Sequence, residues 1–280
     1  MTEVSISTKH QVIVAPADEQ LTNLFPDAKR MKWNNVPSIL LPHELDITVL
    51  MRNLKYNVPA PINSYYNYPG RDPFEVQRKT CSLMTLNKRA YVLNGLGTGK
   101  TSCALWAWDY LNKNNQAGKL IVFAPLSTLD FTWANEIFRL MPHRKCVVLH
   151  GTMATRLKRL ADPEADIFIC NHHGVTMLWK EILQRKDIDT LVIDEIAAYR
   201  NGGTVRSKSM RKLSEKFKYV WGMSGGPTPN SPTDVWGEAQ IVTPWTVPEF
   251  FGRIKEQLLY KVSNFKWVPK ADAVERAASM

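Results

Sequence analysis

The sequence predicts an α/β fold, with a mostly parallel central sheet and helices on both faces. Short unbroken apolar runs, Leu120-Ile121-Val122-Phe123-Ala124 and Leu191-Val192-Ile193 among them, recur between helix-like stretches. Strands of that kind are buried on both faces, as in a parallel sheet whose connections are helices. A glycine-rich segment, Asn94-Gly95-Leu96-Gly97-Thr98-Gly99-Lys100-Thr101, joins one apolar strand to a helix. Asp194-Glu195 closes another apolar strand, at the edge where open parallel sheets bind their ligands.

Residues 1–60 carry few regular signals; Ile39-Leu40-Leu41-Pro42 predicts a short strand and residues 45–54 a helix. Pro59, Pro61, Pro69 and Pro73 enclose an irregular aromatic loop with Tyr65, Tyr66 and Tyr68. Those tyrosines suit either packing over a purine or anchoring the loop to a core. Alternation then begins. Helix 74–86 leads to strand 90–93, and helix 100–112, with Trp106 and Trp108 packing it on the sheet, to strand 120–124. Helix 129–140 precedes strand 146–149, and helix 153–160 precedes strand 167–170. Helix 176–184, strand 190–193, helix 208–217 and strand 219–223 complete the pattern. Strand lengths of four or five residues and helices of eight or more separate the two element types.

The chain's 280 residues fit one large domain or two small ones, and 44% hydrophobic with 22% charged residues is the balance of a globule with a sizeable core. No apolar run is long enough to span a bilayer, and Met1-Thr2-Glu3-Val4 opens no signal peptide. Cys81, Cys103, Cys146 and Cys170 are far apart and form no zinc pattern. A reducing, cytoplasmic location is the expectation. The net charge is +10, and the excess is clustered: Arg139 to Arg159 hold one group, Arg206, Lys208, Arg211, Lys212, Lys216 and Lys218 another. Such clusters suit a polyanion such as nucleic acid, although one alone reads equally as a solvated helix face.

The glycine-rich segment points to a nucleoside triphosphate. Gly95, Gly97 and Gly99 let the backbone curl so that several N–H groups, with that of Thr98, converge on a phosphate, while the new helix aims its positive end at the same place. Lys100 reaches the β- and γ-phosphates and the Thr101 hydroxyl takes a place on Mg²⁺. Asn94 stands where the strict pattern has glycine; Asn enters left-handed backbone more readily than most residues. Asp194 is placed to hold Mg²⁺ through water, and Glu195 to orient and deprotonate an attacking water.

With both motifs in hand, the chain resembles a superfamily 2 helicase motor, on its Swi/Snf-type and phage-encoded branch, from about Pro59 to about Pro244. Pro73-Phe74-Glu75-Val76-Gln77 is similar to the element whose Gln reads adenine, and Asn94 to Thr101 matches motif I. Phe123-Ala124-Pro125-Leu126-Ser127, with Trp133 and Glu136, resembles motif Ia; Ile169-Cys170-Asn171-His172-His173-Gly174-Val175 resembles motif Ib. Val148-Leu149-His150-Gly151 and Arg156 fit the strand and helix between them. Asp194-Glu195-Ile196-Ala197 fills motif II, followed by Arg200-Asn201, and Met223-Ser224-Gly225-Gly226-Pro227-Thr228-Pro229-Asn230 resembles motif III.

The resemblance implies a RecA-like domain over 59–244, an accessory segment over 1–58, and at 245–280 an extension toward a second RecA-like domain. The roughly 35 residues after Pro244 are too few to form that second domain, expected in trans or missing from this chain. It implies ATP and Mg²⁺ as cofactors, with Gln77, Gly95, Gly97, Thr98, Gly99, Lys100 and Thr101 binding nucleotide, Thr101 and Asp194 holding the metal, and Lys100, Asp194 and Glu195 in catalysis. Ser224 is expected to couple the nucleotide to motion. Nucleic acid, DNA by the family, is expected on Ser127, Thr128, Asn171 and His172, with Lys208, Arg211 and Lys212 adding charge. Ser127 and Thr128 also suit a helix N-cap, and Trp133 reads as core. Ala197 and Gly226 depart from the family pattern, so ATP binding is expected to survive more readily than coupling. The competing readings are a nucleotide- and nucleic-acid-binding switch with little hydrolysis, and another P-loop enzyme such as a kinase. The latter leaves motifs Ia, Ib and III without a role.

Overall fold

The computed structural model describes residues 2–226, 231–263 and 266–280. Its N-terminal part is more regular than the sequence predicts. Strands β1 (Thr2–Glu3), β2 (Ser5–Ser7) and β3 (Val12–Pro16) precede helix α1 (Glu19–Leu24), then β4 (Arg30–Trp33), β5 (Val36–Pro42), α2 (Leu45–Asn53) and β6 (Tyr56–Asn57). Strands β2-β3-β5-β4 form an antiparallel sheet over a small core of Ile13, Leu21, Ile39, Leu41, Met51 and Val58. Sequence reading missed β4 because all four of its residues are exposed, so no apolar period marks it. The missed signal is Asn34-Asn35. Both residues are left-handed, and Trp33 pairs with Val36, as in a two-residue hairpin with a mirror-image turn.

The main body follows the predicted alternation. Helices α3 (Pro61–Tyr65) and α4 (Glu75–Leu86) lead into β7 (Arg89–Val92), α5 (Lys100–Lys113) and β8 (Lys119–Ala124). Helix α6 (Asn135–Leu140), β9 (Cys146–Leu149), α7 (Met153–Leu160), β10 (Ile167–Asn171), α8 (Gly174–Gln184), β11 (Ile188–Asp194), α9 (Val205–Ser214) and β12 (Tyr219–Met223) complete it. The sheet order is β7-β12-β11-β8-β10-β9, and every pairing is parallel. Successive side chains on a strand point to opposite faces. Leu120, Val122 and Ala124 therefore join Trp106, Trp108, Trp133 and Ile137 in one core layer. Ile121 and Phe123 face Val175, Leu178, Met210 and Leu213 in the other. Two-sided burial is why these strands read as continuous apolar runs.

The predicted single helix over 129–140 is divided. Residues Leu129–Ala134 form a wide π-helical turn before α6. Such turns inside helices recur at functional sites.

Beyond β12, α10 (Val235–Val242), α11 (Phe251–Leu258), the hairpin β13 (Leu259–Lys261) with β14 (Trp267–Pro269), and α12 (Ala273–Ala278) pack around Val235, Ala239, Val247, Ile254, Leu258, Ala273 and Ala277. The expected division after Pro244 falls inside this cluster. Arg89 ties α9 and α10 to the first strand of the sheet: it donates to the carbonyls of Ile241 at 2.9 Å and Ser214 at 2.6 Å.

Candidate functional site

Strand order brings the distant motifs together. Loops leaving the C-terminal ends of β7, β12 and β11 lie side by side, so the glycine-rich loop, Ser224 and Asp194-Glu195 share one edge. A cavity of about 340 Å³ there is lined by Gly97, Gly99, Lys100, Thr101, Ser102 and Asp194, together with Arg71, Thr132, Glu136 and Arg139.

The loop curls as its glycines require. Gly97 and Gly99 have φ of +75° and +76°, the left-handed region that glycine enters freely. Gly99 starts α5, and a Cβ there would meet the Gln77 Nε2 at 2.4 Å. Gly95 has open space around it. Thr98 closes the turn with its hydroxyl on the Gly95 carbonyl at 2.9 Å. The Lys100 ammonium donates to the carbonyls of Asn94 at 2.8 Å and Gly95 at 3.1 Å, which holds it over the loop. Asn94 is tolerated for a reason other than the one expected. It is absent from the left-handed residues; instead its amide donates to the Thr80 hydroxyl at 2.7 Å and pins the loop to α4.

Gln77 lies beneath the loop, 1% exposed. Its Oε1 accepts from the Phe74 N–H at 3.0 Å and its Nε2 donates to the Thr98 carbonyl at 3.0 Å. Both ends of the amide thus brace the start of α4 and the loop. Reading adenine requires one of these bonds to be exchanged. The aromatic loop is an anchor: Tyr66 donates to Asp109 at 2.7 Å, and Tyr68 meets Trp106 edge-on at 5.3 Å.

Asp194 is buried, and the Trp133 indole donates to its Oδ2 at 2.9 Å. Trp133 is core, as read, and it also holds a site carboxylate; the π-helical turn carries it there. Burial pushes the Asp194 carboxyl above its usual range, the Trp133 donor and the Lys100 charge oppose that, and the neighbouring Glu195 adds to it. Among the described residues Asp194 forms no ion pair, and no group of three or more His, Cys, Asp and Glu side chains could cage a metal. A hydroxyl and one carboxylate at a cavity edge fit Mg²⁺, which keeps its waters and is held with phosphates rather than by an all-protein cage. Glu195 has φ +51° and ψ +59°, an uncommon and strained backbone for a residue with a side chain.

Ser224 sits at the end of β12, between the other two loops. It is 3% exposed, its N–H donates to Val92 at 3.0 Å and its hydroxyl to the Gly226 carbonyl at 3.0 Å. The rest of the motif III phrase, Pro227 to Asn230, lies outside the described residues.

The residues expected to touch nucleic acid are less uniform. Ser127 is exposed, but Thr128 bonds back to the Pro125 carbonyl at 2.9 Å and neither caps the following turn, so the N-cap alternative does not hold. Asn171 accepts from Arg156 at 3.2 Å. His172 needs correcting. Its side chain is buried, with Nδ1 3.1 Å from the Tyr199 hydroxyl, rather than offered to a phosphate. Burial and the Arg206 charge push its pKa down to about 4, so it stays neutral. The basic group on α9 is divided too. Lys208 and Lys212 are exposed, with Lys212 5.3 Å from the Trp179 ring, whereas Arg211 turns to the Gln240 amide oxygen at 3.4 Å.

Sequence reading did not find Arg71, Ser102 or Arg139 at the cavity. No pattern ties Arg71 to the loop, because a tertiary contact places it.

Comparison with known proteins agrees with this geometry. Residues 82–249 match the model of the SNF2-related domain, more than half of the chain. Protein p41 of Acyrthosiphon pisum secondary endosymbiont phage 1 is 29% identical over 164 residues, which cover 55% of this chain and 35% of that protein. The Arabidopsis thaliana ATP-dependent DNA helicase DDM1 is 27% identical over 164 residues, 54% of this chain and 21% of that one. The chain thus spans about a third or less of these relatives. The Sulfolobus solfataricus SWI2/SNF2 ATPase core solved in complex with dsDNA superposes with a TM-score of 0.58 at 23% identity, over 68% of this chain and 40% of that one. No helix among the described residues is long and apolar enough to cross a membrane. Shared α/β topology, ordered motifs and the family match lead to one conclusion: the chain belongs to the SNF2-related family, and what it carries is the first RecA-like domain of that superfamily 2 motor.

Proposed function

We propose that the chain is the ATP-binding motor domain of a DNA helicase or translocase, hydrolysing ATP with Mg²⁺ when a second RecA-like domain completes the site. One observation carries this reading: Lys100 and Thr101 in the first turn of α5 and Asp194 at the end of β11, 93 positions after Thr101, line a single cavity. The N–H groups of 97–101 and the α5 N-terminus hold phosphate. Lys100 exchanges its loop carbonyls for the β- and γ-phosphates. Mg²⁺, when bound, neutralises phosphate charge, with Thr101 and Asp194 as its protein ligands. Glu195, fixed by its strained backbone beside Asp194, takes the proton of the attacking water. Gln77 stiffens the loop and, in exchanging a bond, reads adenine. Ser127 and Asn171 at the same sheet edge contact nucleic-acid backbone, and Lys208 and Lys212 add a salt-dependent attraction.

The test is Mg·ATP binding and turnover, with and without duplex and single-stranded DNA, alone and with a second RecA-like domain supplied in trans. Lys100→Ala is expected to lose nucleotide affinity, and Glu195→Gln to keep binding while losing hydrolysis. Unchanged ATP affinity in Lys100→Ala sinks the assignment.

A further inference from the structure

We propose that Arg71 is a second phosphate-binding cation of the nucleotide site, one that grips the α-phosphate end while Lys100 takes the β- and γ-phosphates. The inference rests on the nucleotide reading of the cavity and adds a residue that no motif contains.

Arg71 precedes α4 and reaches across to the first turn of α5. Its Nη2 donates to the Ser102 hydroxyl at 2.9 Å and lies 3.3 Å from where a Cβ on Gly99 would stand. The guanidinium therefore sits against the turn whose N–H groups receive phosphate, and it lines the same cavity as Lys100, Thr101 and Asp194. The position is built. Ser102 is 1% exposed and its hydroxyl donates to Glu136. Glu136 also accepts from Arg139 at 2.6 Å and has Arg71 at 3.7 Å. Trp106 supports the guanidinium from below, its ring centre 5.8 Å away. Among the described residues the only polar partners of Arg71 are made through Nη2. Among the described residues Nε and Nη1 make no hydrogen bond or ion pair, on a side chain 39% exposed. Arginine's fork recognises phosphate oxygens in pairs, so a guanidinium held by one nitrogen and open at two is disposed to take an anion. Lys100, Arg71 and Arg139 outnumber the two carboxylates of the cavity, as a polyphosphate site needs. Glu136 holds the two arginines apart and in place. Lys100 projects from the loop side, and Arg71 lies over Gly99 and Ser102, which assigns it the α-phosphate end.

The experiment measures dissociation constants of ATP, ADP, AMP and adenosine by competition against a fluorescent ADP, for the parent chain, Arg71→Ala, Arg71→Lys and Lys100→Ala. Arg71→Ala is expected to weaken ATP, ADP and AMP by a similar factor of about 10 and to leave adenosine unchanged, because charge-assisted hydrogen bonds are the strong ones. Arg71→Lys should recover part of the loss by keeping the charge without the fork. Thermal melting without nucleotide shows that the variants fold. Unchanged affinities in Arg71→Ala, a loss confined to ATP, or an equal loss for adenosine overturns the proposal. If Lys100→Ala also leaves ATP and ADP affinity unchanged, the phosphate-loop reading fails; if Lys100→Ala is impaired and Arg71→Ala is not, only the role of Arg71 falls.

Discussion

Replacing Glu238 by Gln is predicted to stabilise the protein at alkaline pH and leave it nearly unchanged at mildly acid pH. Glu238 lies on α10 and is 0% exposed. Its Oε2 accepts from the Tyr91 hydroxyl on β7 at 3.0 Å, and among the described residues its Oε1 has no hydrogen-bond partner. Burial pushes its pKa up to about 8, with Asp234 adding to the rise while Tyr91 and Arg200 oppose it. In the unfolded chain the carboxyl titrates near its ordinary value, about 4.3. Between these values the folded state binds more protons than the unfolded state, so stability falls as pH rises, and the decline ends above the folded pKa. From pH 6 to pH 9 this one group removes about 2–3 kcal/mol, taking 1.36 kcal/mol per pKa unit. Glutamine has the shape of the protonated acid and no charge to bury. Urea denaturation of parent and Glu238→Gln at pH 6 and pH 9 reads the effect directly. The variant should match the parent at the lower pH and exceed it by about 2–3 kcal/mol at the higher. A parent–variant difference that is the same at both pH values refutes the reasoning, for it would mean that Glu238 is ionised in the fold throughout.

Trp133→Phe removes the indole donor to Asp194, and losing a hydrogen bond to a charged group costs about 1.5–3 kcal/mol. Because that donor opposes the upward shift of the Asp194 carboxyl, the loss should grow as rising pH ionises the carboxyl and shrink as acid protonates it; denaturation curves at two pH values check this. Glu195→Gly should abolish hydrolysis yet raise the melting temperature by about 2–4 °C, since relief of a left-handed non-glycine residue gains on the order of 1 kcal/mol. A lower melting temperature in that variant would show that Glu195 is not strained.

The linear sequence determined the alternating α/β pattern, the parallel sheet and the two motifs, because each is a local property. An apolar run of four or five residues, a glycine-rich turn and a strand ending in two acids need no partner to be recognised. Cys146–Leu149, Met153–Leu160 and Tyr219–Met223 fall where their runs place them. Tertiary structure decided what local signals do not encode. The exposed strand β4 has no apolar period, so only pairing with β5 defines it. His172 looked like a loop residue free to meet a phosphate, but the fold buries it on Tyr199. Asn94 is held by Thr80 rather than by its own backbone preference, and Trp133 becomes a carboxylate's partner through a widened helical turn. Arg71 belongs to the cavity only because α4 and α5 pack side by side. The physical reason is one of range: burial pattern and turn chemistry are written within a few residues, whereas the position of a buried acid, a histidine or a guanidinium depends on which distant chain segment arrives beside it.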